Sequence, residues 1–262
     1  MCRLLGYLGS VVKLTELLIE PKHSLVEQSY QPQEMTAGLL NADGFGFACY
    51  HPARNTPPLI YRSILPIWND VNLIPLSQFI SSDCVLASVR SATPGLAVDV
   101  SNSPPYNFGD WLLVHNGFIE QFRYTLHRSL VNSLTDPIYQ QIKGSTDSEY
   151  IFALLYQFLG QFPQDELLAL RSTIECITKL SRGQNISSAL NLIFTNGTRL
   201  YACRYSTHPP APSLYYTQQG SSIYIVSEPM EFPHFSRAEW QQFPENTYLK
   251  AESATIELGQ IL

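Results

Sequence analysis

The chain has no long apolar run, no basic cluster, no paired-cysteine motif and no phosphate loop, and each gap removes a class of function. No stretch approaches a membrane span in length. The segment from Leu4 to Leu18 is broken by Gly6, Gly9, Lys13 and Glu16, so no membrane association is expected. Only 15% of residues are charged, with 16 basic against 22 acidic residues and a net charge of -6, which leaves no electrostatic footprint for nucleic acid or an anionic membrane. The five cysteines, Cys2, Cys49, Cys84, Cys176 and Cys203, show no C-x-x-C spacing and no clustered histidines, so neither a metal site nor a disulfide framework is indicated. The last four lie among apolar residues, where a free thiol serves as a small buried hydrophobe, and a reducing cytoplasm fits that usage. Neither G-x-G-x-x-G nor G-x-x-x-x-G-K-[ST] occurs, so nucleotide binding has no support. With no secretory signal recognised, Asn185-Ile186-Ser187 and Asn196-Gly197-Thr198 read as chance matches to the glycosylation acceptor.

What is present is core material: 262 residues, 45% of them hydrophobic. Leu4 to Gly9 and Gly44 to Tyr50 read as strands, the second with Phe45, Phe47 and Cys49 on one face. Val71 to Ile80 has helical spacing. Asp83 to Arg90 and Trp111 to His115 read as buried strands, the latter ending in an Asn116-Gly117 turn signal. Ser145-Thr146-Asp147 starts a helix that continues through Leu155, and Leu167 to Lys179 supplies another. Ser188 to Thr195, Leu200 to Tyr205, Ser222 to Ser227 and Thr247 to Leu258 return to strand. Pro52 to Pro58 and Pro209 to Pro212 read as surface loops. Such blocks, rather than alternating βαβ units, predict helices layered on antiparallel sheet. No composition break marks a linker, so residues 2–262 are expected to form a single domain.

Cys2 stands directly after Met1. Trimming Met1 would leave a thiol and a free α-amine on one residue, titrating near ~8.5 and ~8, a match that permits proton transfer between them. Such self-activation is an established route to a nucleophile. A papain-like Cys and His pair is the obvious rival, but its cysteine would not need position 2, and no local sequence fits that family.

Acyl transfer also needs oxyanion donors and substrate grips. Three polar segments lie at strand ends or a helix start: Arg90-Ser91-Ala92-Thr93, Val114-His115-Asn116-Gly117 and Gly144 to Glu149. Each has an ordinary explanation. Arg90 could be a surface ion pair, Asn116-Gly117 a hairpin turn, Asp147 a helix N-cap and His115 a structural strand-end residue.

Taken together with Met1 to Gly6 and Asp43-Gly44-Phe45-Gly46, these segments resemble the class II glutamine amidotransferases of the N-terminal nucleophile hydrolase superfamily. Within the family the similarity points to stand-alone members acting on γ-glutamyl compounds in ergothioneine biosynthesis and glutathione degradation. The resemblance implies an α+β fold, a four-layer αββα sandwich of two antiparallel sheets flanked by helices. It implies Cys2 as nucleophile and Asn116 with the Gly117 backbone N–H as oxyanion hole. Arg90, with Thr93 nearby, would hold the α-carboxylate of the glutamyl group, Asp147 its α-ammonium, and His115 would be a further substrate contact. No metal or organic cofactor is implied. One departure stands out: Pro104, in Asn102-Ser103-Pro104-Pro105-Tyr106, replaces a histidine found in many members, so any help from that histidine is absent or comes from His115.

The implied substrate is a small γ-glutamyl compound, such as the γ-glutamyl-hercynylcysteine sulfoxide intermediate of ergothioneine synthesis. Two other readings stay open: a glutaminase subunit passing ammonia to a separate synthase, and a non-catalytic γ-glutamyl binder. A homodimer or a partner synthase subunit would be compatible with these.

Overall fold

Successive residues of the first strand alternate between two apolar environments, and that alternation sets the architecture. Leu4 packs with Leu86, Val114, Ile193 and Ile225, whereas Leu5 and Tyr7 pack with Leu14, Leu25, Phe47 and Val89. A strand buried on both faces must lie within a stack of layers. The computed structural model describes residues 1–35, 38–93 and 95–262. Its first half contains β1 (Arg3–Lys13), α1 (Leu14–Leu18), α2 (Leu25–Tyr30), β2 (Phe45–Cys49), β3 (Leu59–Ser63), α3 (Leu73–Phe79), β4 (Ser81–Val89), β5 (Tyr106–Phe108) and β6 (Trp111–Ile119). The second half adds α4 (His127–Ser133), α5 (Asp136–Tyr139), α6 (Asp147–Gln161), α7 (Glu166–Gln184), β7 (Ser188–Thr195), β8 (Arg199–Ser206), β9 (Tyr215–Gln219), β10 (Ser222–Val226), β11 (Gln241–Gln242), β12 (Thr247–Glu252) and β13 (Thr255–Gln260).

One sheet has the order β11-β9-β10-β1-β4-β2-β3 and the other β13-β12-β8-β7-β6-β5. Their pairings are antiparallel. Helices α1 to α3 cover the outer face of the first sheet, and α4, α6 and α7 that of the second. The inner faces meet in a third apolar layer, which completes the αββα sandwich. Phe45, Phe47 and Cys49 share the outer face of β2, as their alternation predicts. Cys49, Cys84 and Cys203 are buried, and burial pushes their thiols up to about 11, about 12 and about 12.

Several local expectations fail for identifiable reasons. Asn116-Gly117 is no turn: β6 runs through it, pairing Asn116 with Asn191 and Gly117 with Leu190 as far as Ile119 with Ser188. Thr247 to Leu258 is two strands, because Ser253 and Ala254 both adopt left-handed backbone, with φ of 48 and 62, and close a tight hairpin. That turn normally advertises itself with Asn-Gly, which is missing here. β3 and β9 follow the two proline-rich loops and are strands that the sequence pattern does not predict. Of the Pro209 to Pro212 loop, Pro209 and Pro210 are exposed but Ala211 and Pro212 are buried.

Candidate active site

Strand direction brings the candidate residues to one end of the sandwich. Phe45, Val89 and Arg3 lie in one row across β2, β4 and β1, and Cys49, Val85 and Tyr7 in another. Just past Cys49, the Tyr50 hydroxyl donates to the carbonyls of Asp110 (2.5 Å) and Thr195 (3.1 Å). The far end of β1 therefore overlies the start of β6, and its beginning overlies the end of β6. Side-chain parity supplies the rest. Cys2 follows the parity of Leu4 and packs half-buried against the inner layer, which Leu112 and Val114 of β6 also enter, so Asn116 faces the same way. Leu113 and Ile119 face the helices, and His115 and Gly117 go with them.

Arg90 follows β4 and is only 4% exposed. Its backbone is clamped to the turn before β2: Arg90 N–H donates to Gly44 O (2.8 Å), Asp43 N–H to Arg90 O (3.1 Å), and Ala92 N–H to the Asp43 carboxylate (2.8 Å). The guanidinium makes two long bonds, to the carbonyls of Asp43 and Ala97, both at 3.4 Å. Among the described residues no carboxylate pairs with it. The surface ion pair that would explain Arg90 is thus absent, and a buried cation that no carboxylate pairs with suits an anionic ligand. Thr93 is exposed.

Asn116 is wholly buried, and neither atom of its side-chain amide has a hydrogen-bond partner among the described residues. His115 is placed differently from the expectation. Its Nδ1 lies 2.9 Å from Ser148 Oγ and its Nε2 3.1 Å from Ala189 O, so Nε2–H donates to the carbonyl and Nδ1 accepts from the hydroxyl. Burial pushes its pKa down, opposed by the Asp147 charge. A neutral ring locked between β7 and α6 is turned away from the inner layer. It cannot replace the histidine missing at Pro104, and its geometry is that of a brace rather than a substrate contact.

Gly117 has a reason beyond access for a ligand. A Cβ there would strike the Ala189 carbonyl and come within 2.5 Å of His115 Nε2. Gly117→Ala is expected to destabilise the protein by about 3 kcal/mol, through forced separation of β6 from β7. Thermal unfolding should register this as a fall of roughly 6 to 12 °C, and an unchanged midpoint would refute it.

Asp147 opens α6, while Thr146 caps it by accepting from Glu149 N–H (3.3 Å). One Asp147 oxygen accepts Ile119 N–H (2.8 Å) and the other Ser148 N–H (2.8 Å), so the half-buried carboxylate is held rigidly against the end of β6. Asn102 and Tyr106, which carried no site expectation, bind the Arg90 loop to this helix start. Asn102 donates to Ala97 O (3.1 Å) and accepts Ser145 N–H (2.8 Å). The Tyr106 hydroxyl donates to Asn102 O and lies 2.9 Å from Thr146 Oγ1. Burial raises the Tyr106 phenol well above its usual range, and Arg90, Cys2 and Asp147 are all among its charged neighbours. Between them Pro104, the segment's departure from the family pattern, places its carbonyl where a Cβ on Gly46 would have to go.

Behind Cys2, wholly buried Arg3 pairs with wholly buried Glu228 at 2.9 Å. Glu228 also bonds His23 Nε2 (2.6 Å) and accepts the N–H groups of Gln33 (2.8 Å) and Glu34 (3.0 Å). Burial alone would raise its pKa, but these hydrogen bonds and Arg3 outweigh it and hold the carboxyl below its ordinary value. Its stabilisation is therefore complete above the unfolded value, ~4.3, and disappears as pH falls through the folded one. Glu228→Gln should flatten the acid limb of the stability curve below pH ~4; a limb as steep as in wild type would refute this. The Met1 ammonium also lies at this end. Burial pushes its pKa below the ordinary value, with Cys2, Arg3 and Asp43 as charged neighbours. Among the described residues no cluster of three or more His, Cys, Asp or Glu could hold a metal ion, and no helix is long and apolar enough to cross a membrane.

Residues 1–219 match the family described as glutamine amidotransferases class-II. A γ-glutamyl-hercynylcysteine sulfoxide hydrolase of Mycobacterium tuberculosis is 30% identical over 98% of this chain and 96% of its own. The probable glutamine amidotransferase DUG3 of Saccharomyces cerevisiae is 31% identical over 100% of this chain and 85% of its own. Among solved structures, a glutamine aminotransferase class-II domain protein from Silicibacter pomeroyi superposes with a TM-score of 0.72 at 24% identity, over 100% of both chains. The glutamine phosphoribosylpyrophosphate amidotransferase of B. subtilis does so at 0.64 and 14% identity, over 100% of this chain and 49% of its own. These two likenesses concern the fold. The match along residues 1–219 and identity sustained over nearly the whole of two curated relatives go further: this chain belongs to the class II glutamine amidotransferases and is a hydrolase of an amide bond.

Proposed function

We propose that the chain cleaves the γ-glutamyl amide bond of a small γ-glutamyl compound through a thioester on Cys2. The observation that carries this reading is the Asn116 amide, wholly buried at the Cys2 end of the inner layer with no partner among the described residues. A buried donor without an acceptor destabilises a fold. It is the expected state of an oxyanion donor before its charge has formed.

In this reading, removal of Met1 frees the α-amine of Cys2, and burial at this end favours a neutral amine that can act as base. The amine takes the thiol proton, and sulfur attacks the γ-carbonyl. The oxyanion is held by Asn116 Nδ2–H and the Gly117 backbone N–H. Collapse of the tetrahedral intermediate breaks the C–N bond, and the departing amine takes the proton from the Cys2 ammonium. Water, activated by the same amine, then hydrolyses the thioester and releases glutamate. Arg90 holds the substrate α-carboxylate, with Thr93 nearby, and Asp147 holds the α-ammonium, each charge meeting its opposite. Residues 2–262 act as one domain; β12 and β13, beyond the family match, extend the second sheet through β8.

The relative from M. tuberculosis supports a γ-glutamyl conjugate such as γ-glutamyl-hercynylcysteine sulfoxide as substrate, with the released amine as the product of interest. The likeness to the yeast probable glutamine amidotransferase favours a second reading, in which glutamine is the substrate and ammonia passes to another polypeptide. Purified protein assayed on a panel of γ-glutamyl conjugates and glutamine tests both. Efficient release of glutamate from a conjugate by the protein alone supports the first. Slow turnover of every conjugate, with glutaminase activity that rises when a synthase is added, supports the second. Binding without turnover refutes both.

A further inference from the structure

A second buried amide stands beside Asn116. Asn191 on β7 is its direct cross-strand partner and is likewise wholly buried. Directly opposed residues of an antiparallel pair hold their Cβ atoms roughly 4.5 to 5.5 Å apart, close enough for two amides to meet. Asn191 Nδ2 donates to Pro212 O (2.9 Å) and Ser213 O (3.3 Å). Both N–H bonds are thereby engaged, and the two carbonyls dictate the amide's orientation, since the reverse would set oxygen against oxygen. Its Oδ1 is left without a partner among the described residues.

The segment it grips is itself fixed. Arg204, the register partner of Asn191 on β8, donates to the carbonyls of Ala211 (3.0 Å), Pro212 (2.8 Å) and Phe243 (2.8 Å). Ser213 Oγ donates to Ser227 O (2.9 Å), and Ser227 Oγ accepts Leu4 N–H (2.9 Å), two residues from Cys2. The buried half of the Pro209 to Pro212 loop thus ties β7 and β8 to the start of β1.

We infer that Asn191 is a positioning residue for the oxyanion donor: its Oδ1 accepts one N–H of Asn116 and so turns the other toward the oxyanion. The two amides are not bonded to each other in this structure, and rotation about the Asn116 side-chain bonds closes the pair. The need is chemical. The oxygen and nitrogen ends of an asparagine amide are nearly equal in shape, and an oxygen facing the developing oxyanion would repel it. A neighbouring acceptor of fixed orientation selects the productive rotamer. The inference rests on the proposed role of Asn116, and its tests separate the two.

On a γ-glutamyl amide that the wild type cleaves, Asn191→Leu should lower kcat about 10- to 100-fold with KM within about twofold. In the Asn116→Ala background it should cause no further loss, because nothing remains to be oriented. Losses that multiply independently would overturn the positioning role. A second measurement does not depend on the variant folding. In the wild-type protein one of the two Asn116 side-chain N–H protons, assigned by their disappearance in Asn116→Ala, should be protected from exchange; equal and rapid exchange of both would overturn the pairing. Failure of the wild type to cleave any γ-glutamyl amide would sink the functional reading and this role together, whereas cleavage with independent losses sinks this role alone.

Discussion

Cys2→Ala is expected to abolish turnover of every γ-glutamyl amide, by at least about 10,000-fold in kcat, while leaving the fold and the affinity for glutamate intact. The loss should be that large because the thiol supplies the only covalent route in the proposed mechanism, and the remaining donors stabilise an oxyanion that no longer forms. The fold should survive because Cys2 precedes β1 and is only half-buried, so its removal leaves no cavity in the core. Intact-mass detection of a γ-glutamyl adduct on the wild type, absent in the variant, would locate the thioester. The same experiment reports on Met1: while that residue remains, the Cys2 nitrogen is part of a peptide bond and cannot accept a proton. Full activity in protein whose mass retains Met1 would overturn the amine's role as base. Turnover surviving in Cys2→Ala would overturn the nucleophile.

Removal of either charge that grips the glutamyl group should cost about 2 to 5 kcal/mol of transition-state stabilisation, or roughly 30- to 5000-fold in kcat/KM. For Arg90→Ala the argument is one of unmet demand. The guanidinium is 4% exposed, makes two bonds of 3.4 Å to carbonyls and forms no ion pair with a carboxylate among the described residues. Its charge is therefore available to a ligand carboxylate, and the variant would leave that carboxylate buried without a cation. Asp147→Ala combines two losses, because its carboxylate also accepts the N–H groups of Ile119 and Ser148. Substrate analogues separate them. Against a substrate lacking the α-amino group, Asp147→Asn should lose little; against one lacking the α-carboxylate, Arg90→Ala should lose little. Equal losses on the full and truncated substrates would refute the assigned contact.

How legible these features were depended on the kind of information involved. The strands leading to Arg90 and to Asn116 could be read from period-two burial, and the start of α6 from its Ser-Thr-Asp sequence. Asn116-Gly117 carries a turn signal yet forms no turn, because the dipeptide makes a hairpin only when its backbone turns left-handed. Here β7 continues to pair past it, and the absent Cβ of Gly117 makes room for the Ala189 carbonyl. The Ser253-Ala254 hairpin failed in the opposite sense, being a left-handed turn without the residues that favour one. His115 lies beside Asn116 in sequence yet points to the opposite face, a distinction that parity could have supplied once the strand was known to continue. Asn102, Tyr106 and Asn191 had no local signature, since what singles them out is hydrogen bonding to residues distant in the chain.

By itself the sequence determined the family and the layered α+β class and singled out Cys2 as the candidate nucleophile, because these signals reside in contiguous residues and in the periodicity of apolar side chains along each element. Only the tertiary structure decided that the ends of β1, β4 and β6 and the start of α6 converge at one end of the sandwich. It also turned Asn116 inward and His115 outward, and, among the described residues, left Arg90 buried without an ion-pair partner and the Asn116 amide without a hydrogen bond. The physical reason is that convergence depends on strand direction, register and the stacking of two sheets. Those are relations between distant segments, settled by packing and hydrogen bonding rather than by any local preference.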